Sequence, residues 1–486
     1  MFWRGIVGYL PVNLVQAAAG FGAILVFTRL LPPAAYGDYA IAFSVAALAH
    51  TLSLTWIEAA MARFYAAEPE GEARDALYAT VYRTFALVGL GGPAAAWAVL
   101  AFAPLTHDLK LAIVAGLAAA SVRSLLKIAQ ERRRAAGDVG GFARIDMLAT
   151  GGGFLAGGLF AVVGLGAASP FVGAGLAALA CLVLALPSEW PAVRRGRFDG
   201  QRLKAYARYG LPLSLSLVLS LLLASTDRFV LAAFTGEAAV GAYHAGYTLS
   251  NRTLDVIFAW IGMAGGPAAV AAFEQGGETG LKRVALHQAA MLVIVALPAA
   301  TGLALVATPL AQVMVGPDLA PQAARVTPWI AVGALFSGIT TYYLHSAFTL
   351  ARRTARQMAA VAIPAAVNLV LCLMLIPRFG LEGAMWATAA SYAVGLVAAF
   401  VLGRGCLALP IPWAALGAAG AGAALMALAV EAVPAVGGLL ELLAKAAVGA
   451  VVYGLAIFVL NPAGVRTEAL RIARARFAPA PAGAAE

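Results

Sequence analysis

The sequence predicts an all-α, polytopic membrane protein of about 14 transmembrane helices, organised as two pseudo-symmetric six-helix lobes plus two C-terminal helices. Three observations carry that prediction. Of the 486 residues, 62% are hydrophobic and only 12% charged, against roughly 25% charged in a soluble domain. Apolar stretches of about 20 residues, each long enough to cross a hydrocarbon core of roughly 30 Å, follow one another from Gly5 to Leu460. No connection between them is long enough for a separate catalytic domain of about 50 residues or more, so function belongs among the helices.

Breaks at proline, glycine and charge clusters place six spans at 6–31, 36–60, 77–103, 110–129, 142–166 and 170–186, within a first lobe over 1–190. A second lobe, 203–405, holds spans at 209–234, 240–264, 284–307, 327–350, 358–376 and 383–402. Spans 413–432 and 436–460 form the added pair, 411–460, and 461–486 is a cytoplasmic tail that is basic and then rich in Ala and Pro. Gly151-Gly152-Gly153 and Gly157-Gly158 suit helices whose backbones approach closely in lipid.

The net charge of +10 would suggest nucleic acid in a soluble protein. Here the basic residues instead mark every second connection: Arg63 and Arg74, then Lys127 to Arg144, Arg194 to Arg208, Lys282 and Arg283, Arg352 to Arg356, Arg404, and Arg466 to Arg476. About 24 of the 33 Lys and Arg fall on this side and about five on the other, which places both termini in the cytoplasm and requires an even span count. The outward connections, such as 105–109 and 167–169, are very short. The apolar run at the N-terminus continues through Val26, as an uncleaved first span does rather than a signal peptide. Cys181, Cys372 and Cys406 sit in apolar stretches and read as packing residues, not as a disulfide framework or metal cluster.

An internal repeat organises the chain. Arg29-Leu30-Leu31-Pro32, leading to Tyr36-Gly37-Asp38-Tyr39-Ala40, returns as Arg228-Phe229-Val230-Leu231 and, slightly later, Gly241-Ala242-Tyr243, the glycines being offset by 204 positions (241 − 37). Spans one and two therefore correspond to seven and eight, as in transporters with parallel repeats, and two lobes facing a central cavity suit alternating access. These segments, with Ile376-Pro377-Arg378-Phe379-Gly380-Leu381-Glu382-Gly383-Ala384 before the twelfth span, resemble the motifs of the polysaccharide transporter family. That family, of the multidrug/oligosaccharidyl-lipid/polysaccharide exporter superfamily, includes the O-antigen and exopolysaccharide flippases. The resemblance implies translocation of undecaprenyl-diphosphate-linked oligosaccharide, in polysaccharide and lipopolysaccharide biosynthesis, from the cytoplasmic to the periplasmic leaflet of the bacterial inner membrane. It also implies an association with polysaccharide polymerase machinery.

Polar residues inside the spans are the site candidates, because polar faces in lipid turn inward and intramembrane charges are costly. His244, Thr248, Asn251 or Arg252, and Asp255 share one helical face of span eight; Ser44, Thr51, Thr55 and Glu58 do so in span two, beside His50. They read as the lining of a hydrated cavity for sugars, or as hydrogen bonds in a closed bundle. Arg83, Arg123, Arg228 and Arg252 carry forked donors that match diphosphate oxygens, with local pairing (Asp227 beside Arg228) or snorkelling as the structural counterpart. His345 reads as a sugar or proton contact or a buried structural histidine. Glu58, Asp227 and Asp255 are the candidates for H+ or Na+ coupling.

Neither a Gly-rich phosphate loop with Lys and Ser/Thr, nor His-Glu-x-x-His, nor a paired-Cys motif occurs, so the sequence predicts no cofactor and no enzyme. The rival expectations are a lipid II flippase for peptidoglycan, a multidrug exporter of the same superfamily with an acidic cavity, and a membrane-embedded glycosyltransferase, polymerase or ligase. The last would need a large extracytoplasmic loop.

Overall fold

The structure is a computed structural model that describes residues 2–467, 470 and 471, and among them it contains helices and no strands. In chain order the α-helices are α1 (Phe2–Leu30), α2 (Pro33–Ser53), α3 (Thr55–Phe64), α4 (Glu72–Phe102), α5 (His107–Ala135), α6 (Val139–Val162), α7 (Ser169–Ala185), α8 (Trp190–Arg195) and α9 (Gly200–Thr235). They continue as α10 (Glu237–Leu305), α11 (Ala307–Met314), α12 (Ala320–Ile339), α13 (Ser346–Leu350), α14 (Thr354–Phe379), α15 (Leu381–Arg404), α16 (Trp413–Glu431) and α17 (Gly438–Leu460). Most of the C-terminal tail lies outside the described residues.

Among the described residues, 11 helices are long and apolar enough to cross a membrane, or 12 with the bent pair α2 and α3 as one span. The difference from fourteen lies in two places. The 69 residues of α10 would make a rod of about 100 Å, far longer than any span. Gly277 breaks it with φ 57°, ψ −147°, a left-handed backbone open to glycine because no Cβ clashes. The eighth and ninth spans thus lie on either side of Gly277, where the sequence places a loop. The tenth span is interrupted too: α12 stops at Ile339, and a π turn at Thr340–Leu344 precedes α13. Taking α10 as two and α12 to α13 as one restores fourteen.

The outer surface confirms a membrane setting. Large apolar residues stand exposed in bands, among them Leu87, Leu90, Val99 and Phe102 on α4 and Leu155, Leu159, Val162 and Val163 at α6. In water such patches would drive association; in lipid they cost nothing, and backbone groups are satisfied within each helix.

The chain forms two compact units. The first comprises Met1–Thr248, Met314–Ala323 and Ala365–Ala387; the second comprises Leu249–Val313, Ala324–Pro364 and Thr388–Glu486. In the first, α6 and α7 pack through glycine: a Cβ on Gly153 would come within 3.1 Å of the Ala174 Cα, and one on Gly173 would overlap the Gly157 backbone. The Gly-x-x-x-Gly spacing of 153 and 157 serves this contact. Side-chain caps begin three helices, Thr106 on the Leu109 amide, Asp138 on Gly141 and Asp199 on Gln201 and Arg202. In the second unit, Tyr343 donates to the Pro410 carbonyl (2.6 Å) and Tyr453 to that of Ile294 (2.6 Å).

The repeat in the sequence is visible as a contact in the first unit. A Cβ on Gly37 would overlap the Glu237 carbonyl, and one on Gly241 would meet the Pro33 carbonyl at 2.5 Å. Gly241 is Gly37 plus 204 and Glu237 is Pro33 plus 204, so α2 and α10 cross through equivalent residues in a reciprocal way. Thr28, in the motif before this crossing, accepts from the Gly316 amide (2.8 Å), and Arg29 donates to the Met314 carbonyl (3.4 Å).

Candidate functional site

The first unit holds an open cavity of about 480 Å³ with a mixed polar and apolar lining, within the range of roughly 300 to 1,000 Å³ of ligand sites. Small residues make the room: Ala46 and Ala47 on α2, Gly116, Ala119 and Ala120 on α5, Ala149 on α6 and Ala174 on α7. Into that space α5 presents Arg123, Lys127, Gln130 and Glu131, α2 presents His50, α6 presents Asp146 and Thr150, and α1 presents Gln16.

Glu58 lies behind this wall, against the lining residues His50, Ser124 and Lys127. It is 3% exposed, and Leu54, Ile57, Met61 and Ile128 form the apolar cluster around its helix. The 47° bend between α2 and α3 lets His50 reach back across eight residues, Nε2 to Oε1 at 2.8 Å. Ser124 donates to the same oxygen (2.6 Å), and the Lys127 ammonium lies 3.0 Å from Oε2. A buried carboxylate is tolerated because it is paired and hydrogen-bonded.

The other lining charges have partners as well. Glu131 pairs with Arg134 at 2.6 Å, and Asp146 accepts from Gln16 (2.8 Å) and Gln130 (3.2 Å). Arg123 differs: it is exposed to the cavity, and no described residue hydrogen-bonds to it or pairs with it. The arrangement therefore offers a guanidinium for an anion, ringed by amides, a hydroxyl and carboxylates suited to sugar hydroxyls.

The remaining predicted residues scatter. Arg83 donates to the Gly196 carbonyl (3.2 Å) and fastens the connection before α9. Arg228 is buried, stacked 4.6 Å from the Tyr247 ring centre, with Nη1 on the Ala224 carbonyl. Asp227 accepts from the Tyr243 hydroxyl and from the Arg228 amide (2.8 Å). His244 packs among Tyr36, Tyr39 and Phe43 at ring distances of 5.6 to 6.3 Å. Asn251 donates to Asp255 (2.8 Å), with Arg252 exposed beside them. His345 follows the π turn; its Nε2 is buried without a hydrogen bond among the described residues, and its ring centre lies 6.0 Å from that of Phe348.

Reading spans singly misses Ser124, Lys127, Gln130, Asp146 and Gln16. The signal for Lys127 and Gln130 was the continuation of the Arg123 face along α5 at i+4 and i+7. Asp146 and Gln16 join only through packing. The run Arg132 to Arg134, read as marking a cytoplasmic connection, is partly internal: Arg132 and Arg133 reach Glu189 at 3.2 and 3.3 Å, and Tyr82 donates to the same carboxylate.

Comparison with known proteins agrees with this architecture. The lipid II flippase MurJ, in an inward closed conformation, superposes with a TM-score of 0.75 at 13% identity, covering 94% of this chain and 99% of that one. An inward-facing multidrug resistance MATE transporter of the MOP superfamily gives 0.64 at 16% identity, covering 81% and 94%. A MOP superfamily transporter from Pyrococcus furiosus gives 0.56 at 15%, covering 82% and 92%. At these identities the likeness is one of fold. No curated protein sequence matches. A family profile described as polysaccharide biosynthesis protein matches residues 2–270, more than half of the length, and the chain belongs to that family.

Proposed function

We propose that this protein is a non-enzymatic flippase that moves polyprenyl-diphosphate-linked oligosaccharide, an O-antigen or exopolysaccharide repeat unit, outward across the bacterial inner membrane by alternating access. The observation that carries the reading is the guanidinium of Arg123, without a partner among the described residues, in a cavity lined by polar side chains, in a chain of the polysaccharide biosynthesis family. Charge bias runs α5 from the outside at His107 to the cytoplasm at Ala135, which puts Arg123 and Lys127 in the half where such a lipid is loaded. A multidrug exporter would need a carboxylate open to cations, whereas Glu58 and Glu131 are taken by basic partners and Asp146 accepts from the amides of Gln16 and Gln130. Lipid II is a diphosphate lipid too, so the transport assay includes it as a competitor.

The test is outward transport of a fluorescent undecaprenyl-diphosphate oligosaccharide in reconstituted vesicles. Losing a charged hydrogen bond worth about 1.5 to 3 kcal/mol predicts that Arg123→Ala lowers apparent affinity by about 10-fold or more. Wild-type transport by that variant would overturn the site. Two negative charges moving outward across an inside-negative membrane gain about 4 to 5 kcal/mol per 100 mV, so collapsing the potential slows transport unless an ion gradient replaces it.

Orientation has its own check. Cysteines placed at Glu72, Arg197 and Arg353, all exposed, should react only with reagents that reach the cytoplasm, and ones near His107 and Glu237 from outside. The reverse pattern would overturn the proposed direction.

A further inference from the structure

Arg123 and Lys127 are one turn apart on α5, so their side chains are neighbours about 5 to 6 Å apart at Cβ and line the same cavity. They differ in what holds them. Arg123 has no partner among the described residues, whereas Lys127 is bound at 3.0 Å by a carboxylate that is itself inaccessible. The Lys127 side chain is 46% exposed and that of Glu58 only 3%. A lysine ammonium rides on a flexible four-carbon stem with three donors, so Lys127 can turn to the cavity while Glu58 stays in place. Glu58 is not stranded by that move, because Ser124 and His50 remain on its other oxygen at 2.6 and 2.8 Å.

We propose that Lys127 is the second prong of the diphosphate site and that Glu58 is a built-in competitor for it, so that only an anion able to displace Glu58 binds with both prongs. This rests on the reading of the Arg123 cavity as the headgroup site. The consequence is selectivity. The bilayer surrounds this protein with phosphodiester lipids carrying one negative charge at the phosphate, far more abundant than any diphosphate lipid. A site of two free cations would hold them. Against Glu58, a singly charged phosphodiester gains little by taking Lys127, because it exchanges one anion for another. A diphosphate brings two charges and bridges both cations. Discrimination then comes from an element that disfavours the wrong ligand, not only from contacts to the right one.

The experiment measures binding to the full-length, detergent-solubilised protein with two water-soluble probes, farnesyl diphosphate and dihexanoyl phosphatidylglycerol. Wild type should prefer the diphosphate. Glu58→Gln keeps the shape and the Ser124 bond but frees Lys127, so phosphatidylglycerol should bind about 10-fold tighter and the preference should narrow. Lys127→Met should weaken the diphosphate about 10-fold, and in that background Glu58→Gln should change nothing, since the two act as a pair. A folded Glu58→Gln protein with unchanged affinities, or a Glu58 effect that persists without Lys127, would overturn the proposal. Should Glu58→Gln not fold, Glu58→Asp, which retracts the carboxylate from Lys127, must show the same narrowing or the proposal fails. Arg123→Ala separates the two claims: if it weakens the diphosphate while Glu58→Gln has no effect, competition fails and the site stands. If Arg123→Ala and Lys127→Met both leave binding intact, the headgroup site itself fails, and the competitor with it.

Discussion

Replacing Gly37 with leucine is expected to abolish transport and to cut the yield of folded protein sharply. A single Cβ at that position already overlaps the carbonyl of Glu237, and backbone atoms of a helix cannot move aside as a flexible side chain does. Gly241→Leu should act alike, because its Cβ meets the Pro33 carbonyl at 2.5 Å in the reciprocal contact. Overpacking usually costs about 1 to 3 kcal/mol, and here separation of α2 from α10 would also forfeit the close van der Waals contact that holds helices together in lipid. Alanine should act in the same direction with smaller effect. Gly91→Ala is the control, since that glycine faces open space. Thermal stability in detergent and transport in vesicles give the readouts, and a wild-type midpoint for Gly37→Leu would contradict the packing described.

The second large effect is expected at Glu189. Its side chain is fully buried, receives the Tyr82 hydroxyl, and lies 3.2 and 3.3 Å from Arg132 and Arg133. Glu189→Ala would leave two guanidinium groups and a phenol in a pocket without their anion, a loss of about 3 to 5 kcal/mol for a broken buried pair. The unfolding midpoint in detergent should fall well below that of wild type. Glu189→Gln, which still accepts from Tyr82, should fall between the two. Combining Glu189→Ala with Arg132→Ala and Arg133→Ala should recover part of the loss, because no unpaired charge then remains. An unchanged midpoint for Glu189→Ala would remove this cluster from the list of stabilising features.

The legible features were local ones. A span announces itself through about 20 consecutive apolar residues, whatever it packs against, so α4, α5, α6, α14 and α17 stand close to where hydropathy places them. The repeat was legible because Gly37 and Gly241, 204 positions apart, are each followed two residues later by a tyrosine, Tyr39 and Tyr243, and the contact between them gives that spacing a cause. Continuity was harder to see. The charged segment 274–283 reads as a loop, yet it is helical on either side of Gly277, since Glu, Lys and Arg are good helix formers and only the glycine interrupts. The break at Leu54 and the π turn at Thr340–Leu344 carry no proline and leave no trace in hydropathy.

Among the polar residues, the sequence by itself determined that charges are embedded in the spans, and the cost of burying a charge in lipid made each one a candidate. Only the tertiary structure decided which were already spent. Arg83 on Gly196, Arg228 on Tyr247 and Ala224, and Arg132 and Arg133 on Glu189 are held by partners 4 to 113 positions away, and Arg123 is left facing a cavity. Helical spacing places side chains on a face. What that face meets depends on the crossing of helices distant in sequence, and for Glu58, Lys127 and Asp146 that meeting is what turns three buried or half-buried charges into one site.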